Sequence, residues 1–284
     1  MASRNHLQQR VLAYLFIAPA LLITLGVVAF PILNVVVRSF RIEGEDAYGF
    51  DHYIYLFTNS IALNNLYYTL YIVVITVVLS LAAAYGLALF MRFSNSAVSR
   101  TIGALYLIPR FIPGLVAVNA MITVIRDSGL LNRIALAFGY DFKPGLMFNE
   151  KGIILMNLWF NIPFATMLIL SALSNIPDSV IDSARDAGAS RRVLFTKMII
   201  PLTKKDVMIA ATFIFMGNVG SFTTPYLMDS TSPQMIGITL FTQFNNLNYE
   251  NAAALSVVMF LLCSVSAAVY IYTNMKDKAW EKQE

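Results

Sequence analysis

Six stretches of this chain run for more than 20 residues with almost no formal charge: residues 11–37, 66–91, 101–125, 152–173, 207–228 and 252–273. Arg110, in the third, is the one charged residue they contain. A helix needs about 20 apolar residues to cross the hydrocarbon core of a bilayer, so each stretch is a candidate transmembrane span. Water is the wrong solvent for such a chain. It is 58% hydrophobic and 13% charged, against about 45–50% and about 25% in a soluble domain, too few charges to cover a folded surface. The expected fold is an all-α integral membrane protein of six transmembrane helices, forming one domain over residues 1–284.

The first stretch contains Ala18-Pro19-Ala20, which loosely resembles a signal-cleavage site. The apolar run continues well past it, beyond the about 7–15 residues of a signal core, so an uncleaved anchor is expected. Basic residues then set the topology, because Lys and Arg in short flanking segments are retained on the cytoplasmic side. Arg4 and Arg10 precede the first span, Arg92 and Arg100 follow the second, and Lys276, Lys278 and Lys282 end the chain. Six more, from Arg185 to Lys205, fill the connection at residues 174–206. The opposite connections carry Glu43, Glu45, Asp46 and Asp51 beside Arg38 and Arg41, then Asp229 and Glu250. A multi-pass protein of the bacterial cytoplasmic (inner) membrane with both termini cytoplasmic is expected.

The formal charge of +4 and pI near 9.1 do not mark a nucleic-acid binder, since the basic residues separate spans and form no patch. Chemistry-bearing motifs are also missing. His6 and His52 lie outside the spans, which leaves no zinc helix and no membrane Ser-His pair. No acid pair sits within a span, and no phosphate-cradling Gly-x-x-x-x-Gly-Lys-Ser/Thr occurs. No cofactor or metal is expected in this chain, and it is not expected to be an enzyme. The single cysteine, Cys263, lies in an apolar run and reads as filler.

The connection at 174–206 is the informative one. Pro177 suits a helix start, and Asp178 suits the positive end of the helix dipole. Ile181, Ala184, Ala187 and Gly188 share one face at helical spacing, and Gly188 can end that helix before another begins near Ser190. On physics alone this is either a connector resting on headgroups through Arg191, Arg192 and Lys197, or a docking element with a small-residue face.

The same segment resembles the EAA loop of binding-protein-dependent permeases: Glu-Ala-Ala, three residues, Gly, nine residues, then Ile, any residue, Leu-Pro. Asp182, Ser183 and Ala184 stand at the first three positions, Gly188 at the glycine, and Met198, Ile200 and Pro201 at the end. The aromatic-rich Tyr53-Ile54-Tyr55-Leu56-Phe57 ahead of the second span adds to the likeness. The resemblance implies the type I ATP-binding cassette (ABC) importer permease fold (MetI-like). It also implies that Asp182, Ala184, Gly188 and Ala189 face a groove of a cytoplasmic ATPase, with Phe195 a knob beside them and Pro201 closing the motif. The implied partners are two ATP-binding cassette ATPase subunits holding ATP and Mg, a second homologous permease or an identical copy, and a periplasmic or lipid-anchored substrate-binding protein.

Candidate pathway residues lie where polar side chains meet helix breakers. Arg110 sits between Pro109 and Pro113, and an ionisable residue at depth costs about 2.5–3.5 kcal/mol on insertion scales. It is either a pathway residue or an arginine that snorkels or caps carbonyls. Asn157, Trp159 and Asn161 precede Pro163, and Asn218, Ser221, Thr223 and Tyr226 surround Gly220 and Pro225. These either line a solute route or glue helices together. Asn34, Asn119 and the run Ala82-Ala83-Ala84-Tyr85-Gly86 read as packing.

For the solute, Ala184-Arg185-Asp186-Ala187-Gly188-Ala189-Ser190 is similar to polyamine, ferric-iron, thiamine and phosphonate permeases. Met235-Ile236-Gly237, Gln243-Phe244 and Ala252-Ala253-Ala254-Leu255-Ser256 look like the polyamine branch, whereas Tyr249 with residues 253–260 resembles the sugar branch. A polyamine importer is favoured, with a saccharide permease second. A secondary transporter using Arg110 is the rival from another class, and it would need internal repeats that the sequence does not display.

Overall fold

In a computed structural model of the chain, the described residues are 14–42, 44, 47–228 and 232–280, without the side chains of 273–280. Arg4, His6, Arg10, Glu43, Glu45, Asp46, Asp229 and Lys282, and the side chains of Lys276 and Lys278, lie outside them. The described secondary structure is helical apart from one antiparallel bridge between Arg41 and Tyr48. The chain divides into two compact units, residues 1–59 with 240–258 and residues 60–239 with 259–284.

In the first unit, α1 (Tyr14–Ser39) carries no charged residue before Arg38, and none of its span window is buried by the chain itself. α2 (Asp51–Thr58) is the expected aromatic-rich segment. Arg38 Nε donates to Glu250 Oε1 at 3.1 Å, and the guanidinium lies 4.6 Å from the centre of the Tyr249 ring. The end of α1 is thereby tied to the start of α14 (Tyr249–Trp280). His52 is held between Asn251 Oδ1 and the Arg41 carbonyl, 2.9 Å from each.

The second unit is built on α3 (Ser60–Phe93), α8 (Glu150–Ser174) and α11 (Ile200–Val219), which pack on one another. At 34 residues and 1.5 Å per residue, α3 is about 51 Å long, well beyond the about 30 Å of hydrocarbon. Two apolar clusters order these helices. One joins Ile72 and Val73 to Ile153 and Met156, and the other joins Ala84 and Ala88 to Ala165, Ile169 and Leu173. α3 and α8 therefore run in the same direction. Ala210 and Ile214 belong to the second cluster and Val219 to the first, so α11 runs the opposite way. That is the alternation a chain crossing a membrane at every span must show.

Among the described residues, five helical segments are long and apolar enough to cross a membrane: Tyr14–Ser39, Ser60–Phe93, Gly114–Ala137 (interrupted at Arg126), Glu150–Ser174 and Tyr249–Tyr272. Two expected stretches are rearranged. The third, 101–125, breaks into α4 (Ala97–Leu105), α5 (Ile108–Phe111) and α6 (Gly114–Ile125), followed by α7 (Leu130–Ala137). Pro113 is the cause of the second break: Ile112 before it is extended, with φ −87° and ψ 125°. The apolar crossing length falls on Gly114–Ala137, later than expected.

The fifth stretch, 207–228, starts earlier as α11, stops at Gly220, and resumes as α12 (Thr223–Met228). Lys204, Lys205 and Asp206 in its opening turns keep it from counting as an uninterrupted span. α9 (Asp178–Asp186), α10 (Arg191–Leu194) and α13 (Ile236–Asn245) complete the set.

Small residues make the packing close, and Gly152 is the tightest case, where an added Cβ would lie 1.9 Å from the carbonyl oxygen of Leu146. Gly86 meets nothing within 4 Å. Gly152→Ala should therefore destabilise the purified permease by about 1–3 kcal/mol, the usual range for overpacking. Gly86→Ala should be neutral or slightly stabilising. Thermal unfolding of the two variants side by side checks this, and equal melting points would refute the close approach.

Candidate functional site

The connection at 174–206 folds as an elbow. Pro177 caps α9, and the helix ends in a complete Schellman motif: Ala189 N–H donates to Ala184 O at 3.0 Å and Gly188 N–H to Arg185 O at 2.8 Å. Gly188 holds φ +82°, a left-handed conformation that a Cβ disfavours, yet the space around it is empty to 4 Å. Glycine is thus required here by the turn, not by crowding. Ser190 then caps α10, its Oγ accepting from Val193 N–H at 3.4 Å.

A π-helical turn, Phe195–Ile199, connects α10 to α11. Ile200 N–H reaches five residues back to Phe195 O, and Pro201 follows at once. Proline lacks an N–H and crowds the carbonyl four residues earlier, so a wide turn just before it accommodates the defect without ending the helix.

The elbow's small face is divided. Ile181 is buried and Ala184 packs against the same core, so both turn toward the chain itself, while Ala187 and Gly188 are exposed. Ala184 does not face outward as the motif implies. Ala189 is half-buried, and Asp182 is exposed and paired with Arg185 at 3.1 Å. Phe195 is likewise no free knob: its ring stands edge-on to Tyr85, centroids 5.8 Å apart. The outward surface comprises Asp182, Ala187, Gly188 and Pro201.

Arg92 is the residue whose role in the elbow sequence reasoning missed. From the last turn of α3, its Nε donates to Leu173 O at 3.3 Å and its Nη2 to Ile176 O at 3.2 Å, with Asp178 Oδ1 as a further acceptor. The guanidinium caps the C-terminal carbonyls of α8 and holds the first residue of α9, a favourable place for a cation at a helix end. Nothing local in the sequence signals contacts 81 and 84 residues away. Tyr85 was read as packing, and its hydroxyl also meets Thr203 Oγ1 at 2.7 Å, linking α3 to α11.

Of the candidate pathway residues, three are brought together. Asn161 Nδ2 donates to Asn157 O at 2.7 Å and approaches Asn218 Oδ1 at 3.4 Å, and Asn218 Nδ2 donates to Ile214 O at 2.6 Å. Asn157 and Asn218 are buried, and the Asn157 Nδ2 has no protein acceptor. Pro163 supplies no N–H to the Trp159 carbonyl, and Trp159 itself is exposed. Arg110 is exposed on α5 with its guanidinium 5.2 Å from the centre of the Phe164 ring. Ser221 is half-buried at the break after α11, Thr223 is exposed, and exposed Tyr226 stacks on Phe222 with centroids 4.9 Å apart.

Membrane-spanning helices that end in a stiff, glycine-jointed elbow have the architecture of a transporter's membrane subunit. Residues 77–276 match the family of the binding-protein-dependent transport system inner membrane component. The chain belongs to that family: it is a multi-pass inner membrane permease subunit of an ABC importer, and not the catalytic component. Over 93% of this chain and 91% of its own length, the sulfoquinovosyl glycerol transport system permease protein SmoG of Agrobacterium fabrum is 28% identical to it. The spermidine/putrescine transport system permease protein PotB of Escherichia coli is 24% identical over 72% of this chain and 75% of its own.

Among solved structures, a chain of a bacterial ABC transporter for the import of the acidic polysaccharide alginate superposes with a TM-score of 0.80 at 17% identity, covering 96% of this chain and 99% of that one. A chain of the MetNI methionine ABC transporter superposes with a TM-score of 0.57 at 15% identity, over 76% and 95%.

If Arg92 holds the elbow in place, Arg92→Met should speed amide exchange over residues 177–189 about tenfold, the loss of roughly one well-made charged hydrogen bond. Exchange in the middle of α3 should not change. Wild-type exchange across the elbow would show that other contacts hold it.

Proposed function

We propose that this permease forms one half of a translocation pathway, beside a second homologous permease or an identical copy. The elbow is where two cytoplasmic ATP-binding cassette subunits, carrying ATP and Mg, act on the pair. A periplasmic or lipid-anchored binding protein delivers the solute. The observation that carries this reading is the elbow's construction: a Schellman-capped glycine joint presenting exposed small residues, clasped by Arg92 to α3 and joined through a π turn to α11. Closure of the ATPase pair would move the elbow, and the two attachments would convey that motion to the helix bundle as alternating access. Arg92, Arg185, Arg191, Arg192 and Lys197 lie at the elbow's end of the second unit, which supports a cytoplasmic elbow and, by alternation, cytoplasmic termini.

For the solute we favour a saccharide, neutral or anionic, over the polyamine that the loop residues 184–190 suggest. A polyamine is a polycation, and carrying it through low dielectric calls for carboxylates. The carboxylates of the described spans are few: Glu150 and Glu250 at helix starts, Asp206 in the opening turns of α11, and Asp127 between α6 and α7, whose Oδ1 accepts from Gly145 N–H at 2.9 Å, while Arg110 adds a repelling charge. The Asn157, Asn161 and Asn218 amides and the exposed rings of Trp159 and Tyr226 suit hydroxyls and sugar faces. The likeness to SmoG along nearly the whole chain supports this choice, while that to PotB supports the polyamine.

Two measurements follow. Gly188→Asn, which tolerates a left-handed backbone, should retain coupled transport, whereas Gly188→Trp, which projects into the open space at the joint, should abolish uptake and the stimulation of ATPase activity by loaded binding protein. Normal uptake and stimulated hydrolysis in the Trp variant would defeat the docking assignment. Separately, the cognate binding protein should be thermally stabilised by an oligosaccharide or a sulfonated glycoside. Stabilisation by spermidine alone would overturn the saccharide choice and leave the coupling assignment standing.

A further inference from the structure

A groove of about 810 Å³ opens between the last turns of α3 and the elbow. Leu89, Phe90 and Phe93 form one wall, Leu194, Phe195 and Ile199 the other, and half-buried Ala189 with the exposed Arg185 and Arg191 completes its lining. Its level in the membrane follows from α3. The apolar run of that helix ends at Met91, and Arg92, Ser94, Asn95 and Ser96 come next, so the groove straddles the boundary between hydrocarbon and water. Phe90 is 39% exposed and Phe93 41%, which leaves two large rings beside a pair of cations.

The two arginines differ. Arg185 shares its charge with Asp182 at 3.1 Å, whereas Arg191 makes no ion pair among the described residues. Arg92, close by in sequence, is consumed by Asp178 and two carbonyls and does not line the groove. An occupant must therefore be apolar at one end and anionic at the other, and the charge it meets is that of Arg191, reinforced by Arg185.

We propose that this groove is a binding site for an anionic phospholipid, with the phosphodiester on Arg191 and Arg185 and an acyl chain laid against Leu89, Phe90 and Phe195. Basic pockets at the ends of membrane helices recruit anionic headgroups by this combination of charge and apolar depth. A protein partner is the poorer fit. Of the elbow's small residues only half-buried Ala189 reaches the lining; the exposed Ala187 and Gly188, which a gripping partner needs, do not, and the groove's walls continue the apolar surface of a helix that spans the bilayer. The site depends on the chain being membrane-embedded and not on the elbow's assigned partner, so it stands or falls separately from the coupling reading.

The test uses the intact transporter, permease with its ATPase subunits, titrated with phosphatidylglycerol and with phosphatidylcholine while native mass spectrometry counts retained lipid. The wild type should prefer phosphatidylglycerol. Arg191→Gln should weaken phosphatidylglycerol retention about tenfold, the worth of one charged hydrogen bond to phosphate, and leave phosphatidylcholine unchanged. Arg192→Gln, one residue away and outside the lining, should change neither, and Arg191→Lys should restore part of the preference. Co-purification of the ATPase at wild-type yield serves as the folding control. Equal losses in Arg191→Gln and Arg192→Gln would mean diffuse attraction to a basic surface and no site. Absence of any preference in the wild type would overturn the proposal, as would capture of an ATPase subunit by a photoreactive phenylalanine analogue at position 93.

Discussion

In hydrocarbon an apolar side chain gains nothing by leaving its solvent, so helices of this kind are held together by fit and by hydrogen bonds that lipid cannot supply. The pairing of α3 with α8 shows what that demands. Ala84 and Ala88 meet Ala165 in one cluster, where missing side-chain bulk lets backbones approach, and Ile72, Ile153 and Met156 fill the other. Much of the second unit is referred to this pair: α11 packs on both helices, and α12 packs on α8. The elbow inherits its position from the same pair, since Arg92 projects from one helix to cap the end of the other.

The elbow joins two kinds of local chemistry that are usually described separately. Its glycine is demanded by a backbone angle, and its proline is tolerated because the preceding turn is wide. Gly188 has open space to 4 Å, and both residues stand on the exposed side. The residues that hold the elbow down are inward and ordinary by comparison: Ile181, Ala184, Leu194 and the Phe195 ring against Tyr85. This division between an outward joint and an inward anchor explains why one motif is read two ways, as a headgroup-resting connector and as a docking element. The outer part exposes small residues at the joint, and the inner part bounds an amphipathic groove.

Four of the six apolar stretches overlap the long helices Tyr14–Ser39, Ser60–Phe93, Glu150–Ser174 and Tyr249–Trp280, because an uninterrupted apolar run has no alternative to a helix in lipid. The other two stretches are interrupted, at the prolines of one and at Gly220 of the other. Pro109 and Pro113 were recognisable as breakers, but that the crossing length would pass to Gly114–Ala137 depends on where the chain resumes after Ile112, which no single residue announces. Lys204, Lys205 and Asp206 were likewise plain in the sequence, and α11 still extends through them because the π turn ahead of Pro201 lets a helix start early. In the elbow, spacing was enough to find the joint. Direction was not, since Ala184 and Phe195 turn inward only because α3 and α8 lie beneath them. Arg92 was invisible for the same reason: its partners are distant in sequence and meet it only after packing.

That last separation has a bearing on biosynthesis. The Arg92 guanidinium waits for acceptors made 81 residues later, an interval of about 4–16 s at about 5–20 residues per second. Through that time the charge at the end of a newly inserted hairpin has only water and headgroups to satisfy it. Once the Leu173 and Ile176 carbonyls arrive, it can trade them for fixed acceptors, so the clasp closes late and acts as a stamp that the fourth span has been delivered in the correct sense.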